Sequence, residues 1–247
     1  MLDSLTDSKN KNVSVVLASF NGEKYIQEQL DSILPQLDKN DELIITDDGS
    51  TDKTLAVLQP FLQDSRISLL ENHLLGFKEN FAVGIKKAKN EVIVLADQDD
   101  VWHPERLKET RKAFEEGADI LMVAPCFVDE KLQILSKERY NYRLQSGFWP
   151  NFWKNSFIGA CMAFRRELAK EFLPFPNSIN YHDSWIALLG YMTKKKIVHL
   201  DQKLVYYRRH EGVFSGERRK ISLVIKSRMW LLFNLLKRWW VLRGKKA

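Results

Sequence analysis

Three carboxylates fall within four positions of the stretch LADQDDVWHPERL, at Asp97, Asp99 and Asp100, directly after an apolar run. Carboxylates held this close disfavour one another's charge unless a cation, or hydrogen bonds from a ligand, offset it. Asp97 and Asp99 are spaced to address different atoms, one a sugar hydroxyl and the other a metal. Oxygen donors suit a hard cation, Mn2+ or Mg2+, which keeps waters and shares its remaining positions with substrate phosphates. The bland alternative is a solvated turn. The twelve-residue EF-hand loop is absent, so calcium storage is not indicated.

A second acidic pair, Asp47 and Asp48 in TDDGSTDKT, exceeds what a capped strand-to-helix turn needs. Carboxylates accept hydrogen bonds from a base N–H or from ribose hydroxyls, which makes this a candidate nucleoside site. In YHDSW, Asp183 reads either as a helix cap above a packed Trp185 or as a general base. YYRRH, followed by Gly212 and Gly216, offers Arg208, Arg209 and His210 either as a basic strand end or as a lid over a diphosphate.

The elements that must position these groups alternate. VSVVLAS is an apolar run with little alternation, as in a strand covered on both faces. NGEKYIQEQLDSILPQL follows as a helix, ELIIT as a strand, and KTLAVLQPFL as a helix with a Ser or Thr cap. ISLLEN, FKENFAVGIKKAK and EVIVLA repeat the strand, helix, strand order. This alternation predicts an α/β fold with a mainly parallel sheet joined by crossover helices. Such sheets place ligands at the carboxyl ends of their strands. The two acidic clusters, about fifty residues apart, are therefore expected to meet at one edge. Beyond Pro104 the sequence predicts a helix over PERLKETRKAFEEG and a strand over DILMVAPCFVD. Helices are expected near Arg165 and at HDSW, with Asp183 as cap, and a late strand or hairpin at KIVHLDQKLVYYRRH.

The chain has 247 residues, 45% hydrophobic and 28% charged, enough for one globular domain with an appendage. Cys126 and Cys161 lie far apart without metal-type spacing, and both read as packing residues. The opening MLDSLTDSKNKN lacks the pattern of a secretory signal, and no run reaches the roughly 18 to 20 apolar residues of a spanning helix. A cytoplasmic location is expected. From Glu217 to Ala247 ten lysines and arginines face Glu217 alone, a net of +9, so residues 1–216 carry −3 of the formal +6. The expected division is a catalytic domain over 1–216 and a basic amphipathic helix over 217–247.

The ordered set ASFNGEKYIQEQLDSIL, TDDGSTDKT, ADQDDVW, HDSW and YYRRHEG resembles the family-2 nucleotide-sugar glycosyltransferases over about residues 12 to 212. Within that family it is most similar to the bacterial rhamnosyltransferase-like enzymes of surface-polysaccharide synthesis. The resemblance implies a GT-A fold, a Rossmann-like mixed sheet flanked by helices, and inversion at the anomeric carbon. It implies that Asp48 contacts a uracil or thymine base, with Ser19, Asn21 and Glu23 lining that pocket. Asp97 would then hold the ribose, Asp99 the divalent metal as part of a DXD-type motif, and Asp100 the metal or the donor sugar. Asp183 would be the base, and Arg208 and His210 a clamp on the leaving diphosphate. The QxxRW motif of processive synthases is missing, which implies addition of one sugar, from dTDP-rhamnose or a UDP-sugar. The implied partners are that donor and a saccharide acceptor carried on a polyprenyl diphosphate. A nucleotidyltransferase would need a glycine- and basic-rich phosphate loop, for which ASFNGEKY supplies only Gly22 and Lys24. A catalytically silent nucleotide-sugar-binding or scaffold protein is the alternative from another class.

In the tail, taking 100° per residue, Lys226, Lys237, Asn234, Ser227 and Arg238 fall on one arc, with leucines, Trp239, Trp240 and Phe233 on the rest. Either the helix packs on the domain, or it lies in an anionic lipid interface at the inner face of the cytoplasmic membrane. No nucleic-acid motif is present. The sequence leaves the oligomeric state open, a homo-oligomer included.

Overall fold

The computed structural model describes residues 11–136, 142–179, 181–210 and 221–244. The expected domain boundary at 216/217, with Gly212 and Gly216, lies outside the described residues. Eight strands form one sheet. Strands β1 (Val13–Ser19), β2 (Glu42–Asp47), β3 (Ile67–Glu71) and β4 (Val92–Asp97) run parallel in the order β3-β2-β1-β4. The crossovers carry helices α1 (Ile26–Ile33), α2 (Thr54–Leu58) and α3 (Phe77–Lys87). Beyond β4 the sheet turns mixed. The short β5 (Val101–Trp102) pairs at the far edge, α4 (Arg106–Glu115) leads into β6 (Ile120–Val128), and β7 (Met162–Arg165) inserts antiparallel between β4 and β6. Helices α5 (Phe148–Trp153), α6 (Ala169–Phe172) and α7 (His182–Met192), strand β8 (Ile197–Arg208) and helix α8 (Ile221–Gly244) complete the described chain.

The apolar pattern accounts for the layering. All seven residues of β1 are buried. Val13, Val15 and Leu17 join the core under α1 and α4, while Val16 and Ala18 join the core under α3 and α7. The period of two thus feeds both faces, which is why the run shows no polar alternation. Helix α3 lies directly on β1, because a Cβ on Gly84 would come 2.4 Å from Val16 Cγ1.

Two expected helix caps are corrected. Helix α2 has Lys53 at its N-cap position, and Asp52 accepts the Thr54 N–H at 2.9 Å in place of a Ser or Thr cap. Asp183 is not the cap of α7. Tyr181 holds that position and Asp183 lies in the first turn. The helix expected near Arg165 is present as turns at Arg166–Leu168 and Ala169–Phe172, directly after β7. Of the two readings of the late segment, strand or hairpin, Ile197–Arg208 forms one strand. It absorbs its polar LDQK stretch as a register shift opposite Val123 to Pro125, where Pro125 has no N–H to give the ladder.

Candidate active site

The carboxyl ends of β1, β2 and β4 adjoin in register, Ser19 opposite Asp47 and Ala18 opposite Asp97. Asp47 is consumed by its own turn. Its Oδ1 accepts the N–H groups of Gly49 (3.1 Å) and Ser50 (2.8 Å), and its Oδ2 accepts the hydroxyls of Ser50 (2.6 Å) and Ser19 (3.0 Å). Gly49 sits at φ +86°, where a side chain would be strained. Asp48 points the other way and accepts the N–H groups of Leu75 (2.7 Å) and Gly76 (2.8 Å) at the head of α3. Asn21 Oδ1 accepts the Thr51 N–H at 2.8 Å, and Glu23 Oε2 accepts the Lys53 N–H at 2.7 Å. Ser19, Asn21 and Glu23 are therefore laced to the turn that carries Asp48. Asn21 and Glu23 stay exposed on the rim.

Asp97 is the last residue of β4, and its Oδ1 is buried without a hydrogen-bond partner. Burial, then the charges of Asp99 and Asp183, push its carboxyl up to about 8. Asp100 is 1% exposed. Its Oδ1 accepts the Arg208 N–H at 3.0 Å, its Oδ2 has no partner, and burial holds its pKa well above the usual carboxylate range. Asp99 Oδ2 lies 2.8 Å from His210 Nε2, and the His210 ring packs on Tyr25 with centroids 5.0 Å apart.

The orphaned oxygens of Asp97 and Asp100 beside Asp99 fit a hard divalent cation. Among the described residues no three His, Cys, Asp or Glu side chains form a ready cage. A cation here would take Asp99 and complete its shell with water and phosphate.

Arg208 is not brought to the donor side. Its side chain is 1% exposed, stacks 4.6 Å from the Tyr25 ring, and donates to the carbonyls of Asp99 (2.8 Å) and Glu130 (2.6 Å) and to the Glu28 carboxylate. It holds up the acidic turn from beneath. Of the two basic residues expected to clamp a diphosphate, His210 meets the Asp99 carboxylate with its side chain, whereas the Arg208 guanidinium is taken up by Glu28 and by backbone carbonyls.

Asp183 approaches this cluster from α7. It is 8% exposed, and burial raises its pKa to about 6 against the pull of hydrogen bonds from Ser184 and Asn155. That value lies in the range a general base needs near neutral pH. Its neighbour His182 is buried among Phe77, Phe81 and Phe175, and burial lowers its pKa to about 3. His182 is thus a neutral packing residue that fixes the start of α7.

Three amide side chains that the sequence reading passed over tie the loops together. Gln98 accepts the Phe20 N–H (2.8 Å) and donates to the Phe20 carbonyl (2.9 Å). Gln29, fully buried, donates to the Asp97 carbonyl at 2.9 Å. Asn80 donates to the carbonyls of Thr46 (2.8 Å) and Ser19 (3.3 Å). For Gln29 and Asn80 the available signal was an amide placed on the apolar face of a helix, whereas Gln98 lies in the turn after β4. Cys126 and Cys161 are buried free thiols, as expected of packing residues.

A mixed, mainly parallel sheet with acids at its carboxyl edge is the arrangement expected of the GT-A fold. The glycosyl transferase family 2 profile matches residues 14–173, and the chain belongs to that family. It is 30% identical over 219 residues to the glycosyltransferase GlyG of Streptococcus pneumoniae, covering 81% of this chain and 71% of that protein. It is 29% identical over 217 residues to the dTDP-rhamnosyl transferase RfbG of Shigella flexneri, covering 79% and 72%. An uncharacterized Nostoc glycosyltransferase is 26% identical over 213 residues, and the chain spans 65% of its length. Among solved structures, Staphylococcus aureus TarS 1-349 with UDP-GlcNAc superposes with a TM-score of 0.67 at 19% identity, over 92% of this chain and 72% of that one. The Pyrobaculum calidifontis mannosyltransferase PcManGT, with GDP-Man and Mn2+, gives 0.65 at 15% identity over 94% and 74%. At these identities the superpositions establish the fold.

Proposed function

We propose that the chain transfers a single sugar, with inversion, from a nucleoside diphosphate to a hydroxyl of a saccharide acceptor carried on a polyprenyl diphosphate, in bacterial surface-polysaccharide synthesis. The observation that carries this reading is a buried Asp183, raised to about 6, whose charge reaches Asp97 in the acidic cluster from a separate element. In this reading the base and the donor site are supplied by separate elements, Asp183 by α7 and the acids by the end of β4. The relatives favour a pyrimidine nucleotide: RfbG is a dTDP-rhamnosyl transferase, and TarS was solved with UDP-GlcNAc.

In this reading Asp48 receives the base, with Ser19, Asn21 and Glu23 around it, and Asp97 receives the ribose. Asp183 takes the proton from the acceptor hydroxyl. The new bond forms from that oxygen to the anomeric carbon as the bond from that carbon to the diphosphate breaks on the opposite face. His210 offers a donor to the departing diphosphate, while Arg208 and Asp100 keep Asp99 in place. A divalent cation at Asp99, when bound, would neutralise charge that builds on the leaving group. The mannosyltransferase relative in fold was solved with Mn2+, which supports that cation class.

Thermal stabilisation by UDP, dTDP, GDP and CDP, each with Mn2+ or with chelator, tests the assignment, because a ligand that binds only the folded state raises apparent stability. The expected result is a metal-dependent shift with one pyrimidine diphosphate, lost in Asp99→Ala. No shift with any nucleotide in folded protein would overturn the donor site and favour a silent scaffold.

A further inference from the structure

Helix α8 presents three faces. Leu231 and Leu235 are 7% and 0% exposed and join the core beneath α7. Beside them Arg238 donates to the carbonyls of Glu171 (2.9 Å), Leu173 (2.8 Å) and Pro174 (2.7 Å), and Asn234 donates to Ser178 Oγ at 2.9 Å. Two of the five residues in the polar arc read from the sequence, Asn234 and Arg238, therefore face the domain, where Arg238 satisfies carbonyls at the end of α6. The side turned away from the domain is apolar. Ile225, Met229, Phe233, Leu236 and Trp240 are 52%, 62%, 57%, 48% and 75% exposed and fall within an arc of about 80°. Exposed Lys226 and Lys237 run along one flank of this stripe, and exposed Arg243 closes its C-terminal end at the same angle as Ile225.

A stripe of this length on a folded surface marks a contact site. We propose that it lies in the headgroup region of an anionic lipid surface. Charge selects this occupant. From Ile221 to Gly244 the helix has no acidic residue, so pairing with a second copy about a two-fold axis would set cationic flank against cationic flank. Anionic headgroups complement the lysine flank and the terminal Arg243 at once, and the tryptophan and phenylalanine suit the boundary between headgroup and acyl chain. No helix among the described residues is long and apolar enough to cross a membrane, which leaves lying in the surface as the mode of contact. Because α8 packs on α7, docking would hold the helix that carries Asp183 alongside the lipid. That last link rests on the proposed function, whereas the lipid contact does not.

Sedimentation of the full chain with phosphatidylcholine vesicles, with or without half phosphatidylglycerol, tests the proposal, with tryptophan emission as a second readout. The expected result is partition onto the anionic vesicles with a blue shift, weakened roughly fivefold by each of Lys226→Gln and Lys237→Gln. Phe233→Ser, Leu236→Ser and Trp240→Ser combined should cut partition more than tenfold while the melting temperature holds, since all three side chains are exposed. Folded parent protein that stays in the supernatant would overturn the proposal. So would a dimer in light scattering that the triple variant dissolves, which would assign the stripe to a second copy. Nucleotide stabilisation measured on the same samples separates the two readings: vesicle binding without it removes only the glycosyl-transfer reading, and the converse removes only the lipid face.

Discussion

Asp41, at the amino edge of the sheet, and Asp97 and Asp100, at its carboxyl edge, are carboxylates taken out of water with opposite hydrogen-bond outcomes. Asp41 is 4% exposed. It accepts the N–H groups of Val13 (2.8 Å) and Asp38 (2.7 Å) and pairs with the Arg111 guanidinium. Burial still raises its pKa, but both oxygens are filled. At the other edge one oxygen each of Asp97 and Asp100 is buried with no partner. Buried polar atoms are nearly always satisfied in folded proteins, and here two such oxygens lie within four positions of one acidic turn, where a ligand could complete them. The same fold spends one acid on its own stability and holds the others for use.

The contrast is broken most directly at the acids themselves. Asp183→Asn keeps the shape but cannot take a proton, and transfer should fall on the order of 100- to 10,000-fold. Steady-state rates with the donor found by thermal shift check this. In the parent enzyme the base must be ionised, so kcat/KM should fall about tenfold per unit as pH drops below 6, the value to which burial raises Asp183. The stability sign is opposite. A folded pKa above the unfolded one means the ionised carboxylate is disfavoured in the native state at pH above about 6 and not below about 4. Asp183→Asn should then melt higher than the parent at pH 8, by at most about 3 kcal/mol, with the gain fading toward pH 4. A variant with unchanged rate would remove Asp183 as base.

Arg111→Met tests the other edge. It strands the buried Asp41 charge, and removing one member of a buried pair costs about 3 kcal/mol or more. Denaturant unfolding should show that loss, while kcat/KM at a permissive temperature stays within twofold of the parent. A large loss of activity in folded protein would erase the distinction between the two edges.

How much of this contrast the sequence discloses depends on range. The acids of the carboxyl edge were legible because each follows an apolar strand, and an α/β sheet gathers strand ends. Their partners were not. Arg208 reads as a basic strand end, yet its carboxylate partner is Glu28, 180 positions away in the chain. Strands β5 and β7 hold two and four residues, too few to show a period, and β7 owes its place to β4 and β6 on either side. The tail helix was legible as a helix, but the side that meets the domain is set by carbonyls of residues 171, 173 and 174, which no helical projection displays.

A smaller perturbation separates positioning from chemistry at the base. A Cβ on Gly159 would come 2.6 Å from His182 Nε2, in a ring enclosed by three phenylalanines. Gly159→Ala must shift His182 and with it the first turn of α7. The expected outcome is a stability loss of about 1 to 3 kcal/mol from overpacking and a several-fold drop in kcat, with donor binding by thermal shift preserved. Unaltered kcat would show that Asp183 tolerates movement of its helix.

The finest test lies on the donor rim, at Gln98, which joins the acidic turn to the Phe20 backbone through two hydrogen bonds. The contact is tight, since a Cβ on the adjoining Gly22 would fall 2.2 Å from Gln98 Oε1. Gln98→Ala removes both bonds at a partly exposed site, worth about 1 kcal/mol together. That energy fixes how the loop carrying Asn21 and Glu23 sits beside Asp97 and Asp99, and it does not touch α7. The donor KM should therefore rise several-fold while kcat at saturating donor is unchanged. If kcat fell instead, the donor loop and the base would move as one unit. The carboxyl edge would then be a single cooperative assembly rather than two preformed halves that meet around the substrate.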